Sequence, residues 1–168
     1  KPGDRVMAHL DHGAFAEEAV AAEDCVHVIP DAMDFVTAAG FPVVYGTSYL
    51  GLVDRARLKA GEVLVVHGAA GGVGLSAVEI GKKIGATVIA TAGGADKLAI
   101  ARAHGADHLI DYTTEDVRAC LKAITQGRGV DVVFDPVGGA IFEASLRAMA
   151  PDGRIVVVGF ASGAVPPI

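Results

Sequence analysis

The sequence predicts an α/β protein built on a doubly wound parallel sheet, and three observations support this prediction. Short apolar, β-branched runs alternate with helical segments along most of the 168 residues. Several of the 22 glycines stand where a run ends and a helix begins. The runs are mostly apolar, which is typical of parallel strands covered by helices on both faces. Right-handed crossovers between successive strands then give a sheet with helices on both sides.

The first part of the chain does not show this alternation of strands and helices. Short strands are predicted at 5–9, 15–22 and 26–29, separated by polar and glycine-containing turns. These segments are too few to bury a core of their own. A helical stretch then opens at about Met33, and a second helix is predicted over 47–58.

The remainder alternates between strand and helix. The predicted strands are 62–67, 87–91, 108–110, 130–134 and 154–160. The predicted helices are 73–84, 96–103, 114–125 and 140–149. Gly85 and Gly105 stand at the C-terminal ends of the first two helices, where a left-handed residue commonly ends a helix. No internal repeat competes with this interpretation.

Composition excludes several classes of function. Fourteen basic residues against 20 acidic ones give a formal charge of −6, which argues against nucleic-acid binding through a broad basic face. Glycine or charge interrupts each apolar run before the roughly 20 residues that span a bilayer, so no membrane segment is predicted. Cys25 and Cys120 are far apart and form no Cys-x-x-Cys pair, which favours a reducing cytoplasm.

The segment from Gly68 to Gly74, Gly-Ala-Ala-Gly-Gly-Val-Gly, follows a buried strand and opens a helix. Glycines allow the backbone to approach a pyrophosphate, and the amides and dipole at a helix N-terminus attract its charge. Ala69 replaces the first glycine of the G-x-G-x-x-G pattern. The alternative is a strand-to-helix turn that needs small residues only for packing. The strand and helix on either side favour a dinucleotide site.

The end of the second long strand bears on the choice of dinucleotide. An acidic residue at this point usually binds the adenosine ribose of NAD, but the chain here reads Thr91-Ala92-Gly93-Gly94. Lys97 follows within the next helix turn. A missing acid and a nearby cation suit a 2′-phosphate, so NADP(H) is favoured over NAD(H). The alternative for Lys97 is a solvated helix residue.

These features together resemble the medium-chain dehydrogenase/reductase superfamily, in particular its zinc-independent quinone oxidoreductase branch. The motifs of the resemblance are Val44–Tyr49, Val66–Gly74, Lys97, Gly105–His108, Asp111–Tyr112 and Asp135–Gly139. The resemblance implies that residues 36–168 form a Rossmann NADP-binding domain without its last strand and helices. It implies that residues 1–35 are the C-terminal remnant of a GroES-like catalytic domain. We therefore expect the chain, which begins at Lys1, to be part of a longer protein.

The resemblance also implies which residues hold the phosphate and adenosine parts of the cofactor. Three lie against the pyrophosphate, namely Gly71, Gly72 and Val73. Three surround the adenosine and its 2′-phosphate, namely Gly93, Lys97 and Tyr112.

Four further positions match contacts near the nicotinamide. Thr47 and Tyr49 approach it from the helix before the first Rossmann strand, and Val137 and Phe160 approach it from the ends of the fourth and fifth strands. Ligands bind at the carboxyl ends of parallel strands, which agrees with these positions. For Tyr49 and Phe160, burial as core aromatics is the alternative.

No metal site and no catalytic residue is predicted. In the zinc-dependent branch a ligating cysteine precedes the Gly46-Thr47 segment, and Val43 stands at that position here. The serines lack a G-x-S-x-G elbow. Asp135 is a candidate base, but the Pro136 that follows favours a role in bracing a turn.

The expected activity is the transfer of hydride from NADPH to a quinone or an activated enone, with the chemistry supplied by the cofactor. A zinc-type alcohol dehydrogenase, an enoyl-thioester reductase and a non-catalytic NADPH-binding module are the alternatives. The expected partner is a small molecule, with neither nucleic acid nor membrane. The complete protein is expected to be a cytoplasmic homodimer. The present chain is expected to bind NADPH weakly without catalysis.

Overall fold

A computed structural model describes residues 1–165, which divide into two compact units, Lys1–Gly46 and a second from Thr47 onward. In the first unit, β1 (Val6–Ala8) pairs antiparallel with β2 (Val26–Val28). The Arg5 guanidinium donates to the carbonyl oxygens of Pro30, Asp31 and Met33. That the first 35 residues are the remnant of a GroES-like domain stays a prediction.

The prediction of a strand at 15–22 is wrong. The described chain has no strand there, and Phe15 and Val20 are fully exposed. A strand needs a hydrogen-bonded neighbour, and within residues 1–165 the two-stranded β1–β2 pair has no third member. The apolar residues of this segment therefore lack a face to bury.

The two helices predicted before the sheet form one continuous helical run. Helix α1 (Phe35–Tyr49) continues as a π-helical turn, Leu50–Arg55. Asp34 accepts a hydrogen bond from the Thr37 amide at its start, and Pro42 lies inside the helix without ending it. Apolar spacing alone does not separate two adjacent helices from one.

This helical run also bears on the membrane prediction. By length and composition alone, Phe35–Arg55 is long and apolar enough to cross a bilayer, contrary to the expectation that no stretch approaches that length. Core helices of water-soluble proteins have the same length and composition but are mostly buried, whereas 22% of this apolar window is buried. Here Gly51 and Leu52 are buried, and a Cβ on Gly51 would contact Phe134 and Val156 of the sheet.

The second unit contains the parallel sheet that the sequence predicts. Its strands are β3 (Val63–Val66), β4 (Thr87–Ala92), β5 (His108–Asp111), β6 (Val130–Asp135) and β7 (Met149–Val157). They are ordered β5-β4-β3-β6-β7, and every neighbouring pair is parallel. After β5 the chain crosses back and places β6 on the other side of β3, so the switch point of the doubly wound sheet lies between β3 and β6.

Helices cover both faces of this sheet and enclose two apolar layers. The helices are α2 (Gly72–Ile84), α3 (Ala95–Ala103), α4 (Val117–Ile124) and α5 (Ala140–Leu146). Leu64, Val66 and Phe134 belong to one layer, which includes residues of α2. Val65, Ile89 and Val133 belong to the other, beside α4 and α5. The alternation along β3 confirms that both of its faces are buried.

The last strand differs from its predicted limits of 154–160. It begins at Met149 and ends at Val157, with a shift of register against β6 around Asp152, whose φ is +61°. Phe160 therefore does not end a strand but lies in the following loop. A strand ends where its pairing ends, and the register of β7 is set by β6.

Candidate functional site

The glycine segment forms a tight turn between β3 and α2. Gly68 has a φ of +56°, and its carbonyl accepts a hydrogen bond from the Gly71 amide at 2.9 Å. The first helical bond runs from the Leu75 amide to Gly71, and no side chain caps the helix. The amides of Gly72, Val73 and Gly74 thus have no intrahelical acceptor and can receive an anion.

Gly74 makes this geometry possible. A Cβ there would lie 2.2 Å from the Gly68 carbonyl oxygen and 2.9 Å from the Ala69 Cα. Both are backbone atoms, so no side-chain movement relieves the clash. Only glycine allows α2 to pack this closely on the turn.

A cleft of about 580 Å³ opens beside this turn at the carboxyl ends of the strands. It is lined by Gly68, Ala70, Gly71, Ala92, Gly93, Lys97, Ile100, Tyr112, Val137, Ala161 and Ser162. The structure thereby brings five predicted site residues together, namely Gly71, Gly93, Lys97, Tyr112 and Val137. Their contact with a cofactor stays a prediction.

Lys97 is the single charged side chain among the described residues that line the cleft. It is exposed on the first turns of α3 and makes no ion pair within residues 1–165. The nearby Asp111, the last residue of β5, is held in place, because its carboxylate accepts hydrogen bonds from the Thr113 amide and hydroxyl and from the Gly94 amide. The hydrogen bonds from Thr113 lower the pKa of Asp111, which keeps it ionised.

Gly93 and Tyr112 are in close proximity at the end of β4. A Cβ on Gly93 would lie 3.1 Å from the Tyr112 hydroxyl oxygen and 3.2 Å from Thr113 Cγ2. Tyr112 is 41% exposed, so one part of its ring remains available to a ligand. The missing side chain at Gly93 therefore leaves room for Tyr112 at the wall of the cleft.

The opposite wall is the turn after β6. Asp135 is fully buried, and its Oδ1 accepts hydrogen bonds from the amides of Val137 at 2.8 Å and Gly138 at 3.0 Å. This confirms that Asp135 braces the turn. Phe160, which is 41% exposed, lies close to Gly138, where an added Cβ would approach its ring to 3.0 Å.

The remaining predicted residues do not line the cleft. Thr47 is half-buried and Tyr49 is 55% exposed on α1, while Gly72 and Val73 begin α2. The Val73 carbonyl accepts a hydrogen bond from the buried Ser48 hydroxyl at 2.8 Å. Exposure makes the core-aromatic alternative wrong for Tyr49.

A second cleft of about 350 Å³ shares Tyr112, Val137 and Ser162 with the first, and continues along α5 past Ile141 and Ala144. Sequence reasoning missed Ser162 and Ile100 as lining residues. Neither belongs to a motif, since their position depends on where β7 ends and how α3 is rotated. Within residues 1–165, no three His, Cys, Asp or Glu side chains are grouped to hold a metal ion.

The family model described as zinc-binding dehydrogenase matches residues 72–167. The chain belongs to this family. Its fold and motifs place it in the medium-chain dehydrogenase/reductase superfamily, as the sequence predicts. The family description names zinc, but it does not assign a metal ligand to any residue of this chain.

The curated relatives carry names of two kinds. The chain is 37% identical over 167 residues to a quinone oxidoreductase-like protein 2 homolog from Nematostella vectensis, covering 99% of this chain and 46% of the relative. It is 39% identical over 162 residues to the highly reducing polyketide synthase cm3B from Cordyceps militaris, covering 95% of this chain and 6% of that protein. The chain thus spans about half the length of the quinone oxidoreductase-like relative.

Solved structures agree with the fold. A probable oxidoreductase from Mycobacterium abscessus is 36% identical, with a TM-score of 0.86 over 92% of this chain and 49% of that one. A mycobacterial protein in complex with NADPH is 33% identical, with a TM-score of 0.82 over 88% of this chain and 46% of that one. The CurK enoyl reductase is 34% identical, with a TM-score of 0.78 over 83% and 42%.

Proposed function

We propose that the cleft at the carboxyl edge of the sheet binds NADPH. The observation that carries the proposal is Lys97, an unpaired cation in a cleft whose other described lining residues are uncharged. The 2′-phosphate that distinguishes NADPH from NADH needs such a cation, and charge-assisted hydrogen bonds are the strong ones. The similarity to a mycobacterial protein in complex with NADPH supports this choice.

The glycine turn suits the pyrophosphate. Gly71, Gly72 and Val73 stand at an uncapped helix N-terminus, where the amides of Gly72 and Val73 lack intrahelical acceptors and the Gly71 amide donates to the Gly68 carbonyl. Tyr112 then borders the adenosine, while Val137 and Phe160 lie towards the nicotinamide end. Thr47 and Tyr49 complete the nicotinamide side in the proposal, although neither lines the cleft of this chain.

We further propose that the complete protein transfers hydride from NADPH to a quinone or an activated enone without zinc. The bound nicotinamide supplies the hydride, and the residues of this chain bind and orient the cofactor. The quinone oxidoreductase-like relatives support the acceptor class. Val43, at the position of the zinc-ligating cysteine, supports the absence of zinc. The 168-residue chain is proposed to bind NADPH weakly without catalysis.

An enoyl-thioester reductase is the second candidate. The similarity to the CurK enoyl reductase and to a highly reducing polyketide synthase favours it. Both candidates use one cofactor site and differ in the acceptor. A cytoplasmic location and a homodimer of the complete protein remain proposals.

Calorimetric titration of the 168-residue chain with NADPH and NADH tests the cofactor proposal. Lys97→Ala is expected to weaken NADPH by about 1–3 kcal/mol, the range for a hydrogen bond to a charged group, and to leave NADH nearly unchanged. Lys83→Ala is the control, because Lys83 is an exposed lysine in the last turn of α2. Equal losses for both cofactors would show that Lys97 does not bind the 2′-phosphate.

The acceptor requires the complete protein. NADPH oxidation followed against a panel of quinones, enones and enoyl thioesters distinguishes the two candidates. Turnover of quinones supports the first proposal, and turnover of enoyl thioesters alone supports the second. Tight NADPH binding without turnover of any acceptor would indicate a non-catalytic binding module.

A further inference from the structure

A row of buried polar side chains lies at the carboxyl ends of three neighbouring strands, next to a row of apolar side chains. Val65 on β3 is in register with Ile89 on β4 and Val133 on β6. Two residues further along each chain, side chains return to the same face, and these positions hold His67, Thr91 and Asp135. All three are fully buried.

The His67 imidazole joins two elements across this row. Its Nδ1 is 2.9 Å from the Thr91 hydroxyl, and its Nε2 is 2.7 Å from the hydroxyl of Ser145 on α5. Burial lowers the pKa of His67 to about 4, against the opposing effect of the nearby Asp135 charge. The ring is therefore neutral at neutral pH, so one nitrogen donates while the other accepts.

Backbone bonds extend this connection to the glycine turn. The His67 amide donates to the Phe134 carbonyl on β6, and the Ala69 amide donates to the Thr91 carbonyl on β4. Gly68 stands between these two anchored residues. The base of the turn is thus held to both neighbouring strands.

The His67 imidazole is also connected to the second cleft, because its partner Ser145 lies on α5. Ser145 follows Ala144, which lines that cleft together with Ile141. Apolar side chains could pack this face without burying polar groups, as Val65, Ile89 and Val133 do two residues earlier on the same strands. Hydrogen bonds add a fixed direction and separation that apolar contacts lack.

We propose that His67 is a positioning residue of the dinucleotide site. Through Thr91 and Ser145 it holds the glycine turn and α5 at the separation that the bound dinucleotide requires. The inference rests on the proposed function, because it assigns His67 a role toward the same cofactor. Ser145 touches His67, and its effect on the glycine turn passes through the imidazole.

Two substitutions that each remove one hydroxyl test the proposal. Thr91→Val is nearly isosteric, and Ser145→Ala deletes one oxygen atom. Each is expected to weaken NADPH binding to the 168-residue chain by about fivefold to tenfold, the effect of one hydrogen bond. Thr91→Ser keeps the hydroxyl and is expected to retain affinity within about twofold on the same scale. Val133→Ala is the control, because it weakens packing on the same face without removing a hydrogen bond.

A second readout needs no cofactor. In ¹H–¹⁵N spectra, the amides of Gly68 to Gly71 are expected to shift in Ser145→Ala and Thr91→Val, but not in Val133→Ala. Wild-type affinity in both hydroxyl variants with unmoved turn amides would overturn the proposal. If the wild-type chain bound no NADPH, the proposed function would fail. The amide shifts would then decide whether His67 positions the turn.

Discussion

The two turns at the carboxyl edge of the sheet differ in what their amides contact. The turn after β3 ends in an uncapped helix, so the amides of its first helical residues have no intrahelical acceptor. In the turn after β6, the Asp135 carboxylate accepts from two consecutive amides. The amides of the first turn remain available to a ligand. Those of the second turn already donate to a carboxylate of the protein itself.

The difference shows how similar strand-to-helix connections acquire separate roles. A turn with free donors and no local carboxylate attracts an anion. A turn already occupied by a carboxylate repels an anion and instead presents the apolar side of Val137 to the cleft. In the proposed dinucleotide site, one wall therefore offers hydrogen-bond donors to an anion and the other offers an apolar contact.

The largest effect is expected from Gly74→Ala. Its Cβ would lie 2.2 Å from the Gly68 carbonyl oxygen, so α2 must move away from the turn. We expect a loss of about 4 kcal/mol in the free energy of unfolding, at the severe end for single substitutions. Urea unfolding measures this loss.

Gly71→Ala tests whether the stability loss is specific to the close contact at Gly74. A Cβ on Gly71 would lie 3.3 Å from the same oxygen, and the residue has an ordinary φ of −82°. Its stability loss is expected to be much smaller, whereas NADPH affinity falls because the methyl group stands at the pyrophosphate approach. Equal stability of the two variants would show that α2 does not need this close contact.

Asp135→Ala is expected to have the next largest effect. It removes the acceptor of two amides, that of the half-buried Val137 and that of the buried Gly138, and we expect a loss of about 3 kcal/mol on unfolding, given the strength of hydrogen bonds to charged groups. Asp135→Asn retains an oxygen acceptor, and its loss is expected to be smaller. If both variants unfolded at the wild-type urea concentration, the carboxylate would not brace the turn.

The smallest of these effects depends on pH and arises at the base of the glycine turn. Burial lowers the pKa of His67 from 6.5 to about 4, so between these values the unfolded state binds more protons than the folded state. The contribution of the neutral His67 to the free energy of unfolding is complete above pH 6.5 and is lost as the pH falls to 4. From pH 7 to pH 5, the free energy of unfolding is expected to fall by about 2 kcal/mol from this group.

Urea unfolding at the two pH values measures this change, and His67→Phe provides the reference. The variant lacks the titrating group, so its pH dependence should be weaker by that amount. An identical slope in both proteins would mean that the pKa of His67 is the same in the folded and unfolded states, which would contradict the lowering by burial.

Local patterns predicted most of the sheet. The apolar runs and the glycines between them predicted all five parallel strands and the position of the glycine turn. They were wrong where structure depends on a distant partner. The segment 15–22 found no neighbour to pair with, and β7 took its register from β6, which left Phe160 in a loop.

By itself, the sequence determined the fold class, the dinucleotide motif and the absence of an acid after Thr91. These are properties of consecutive residues, and their physical effects act over one or two turns of chain. The tertiary structure decided that Lys97 lines a cleft whose other described lining residues carry no carboxylate, and that His67, Thr91 and Asp135 form one buried row. Such groupings depend on strand register, because residues far apart in sequence become neighbours only when their strands pair.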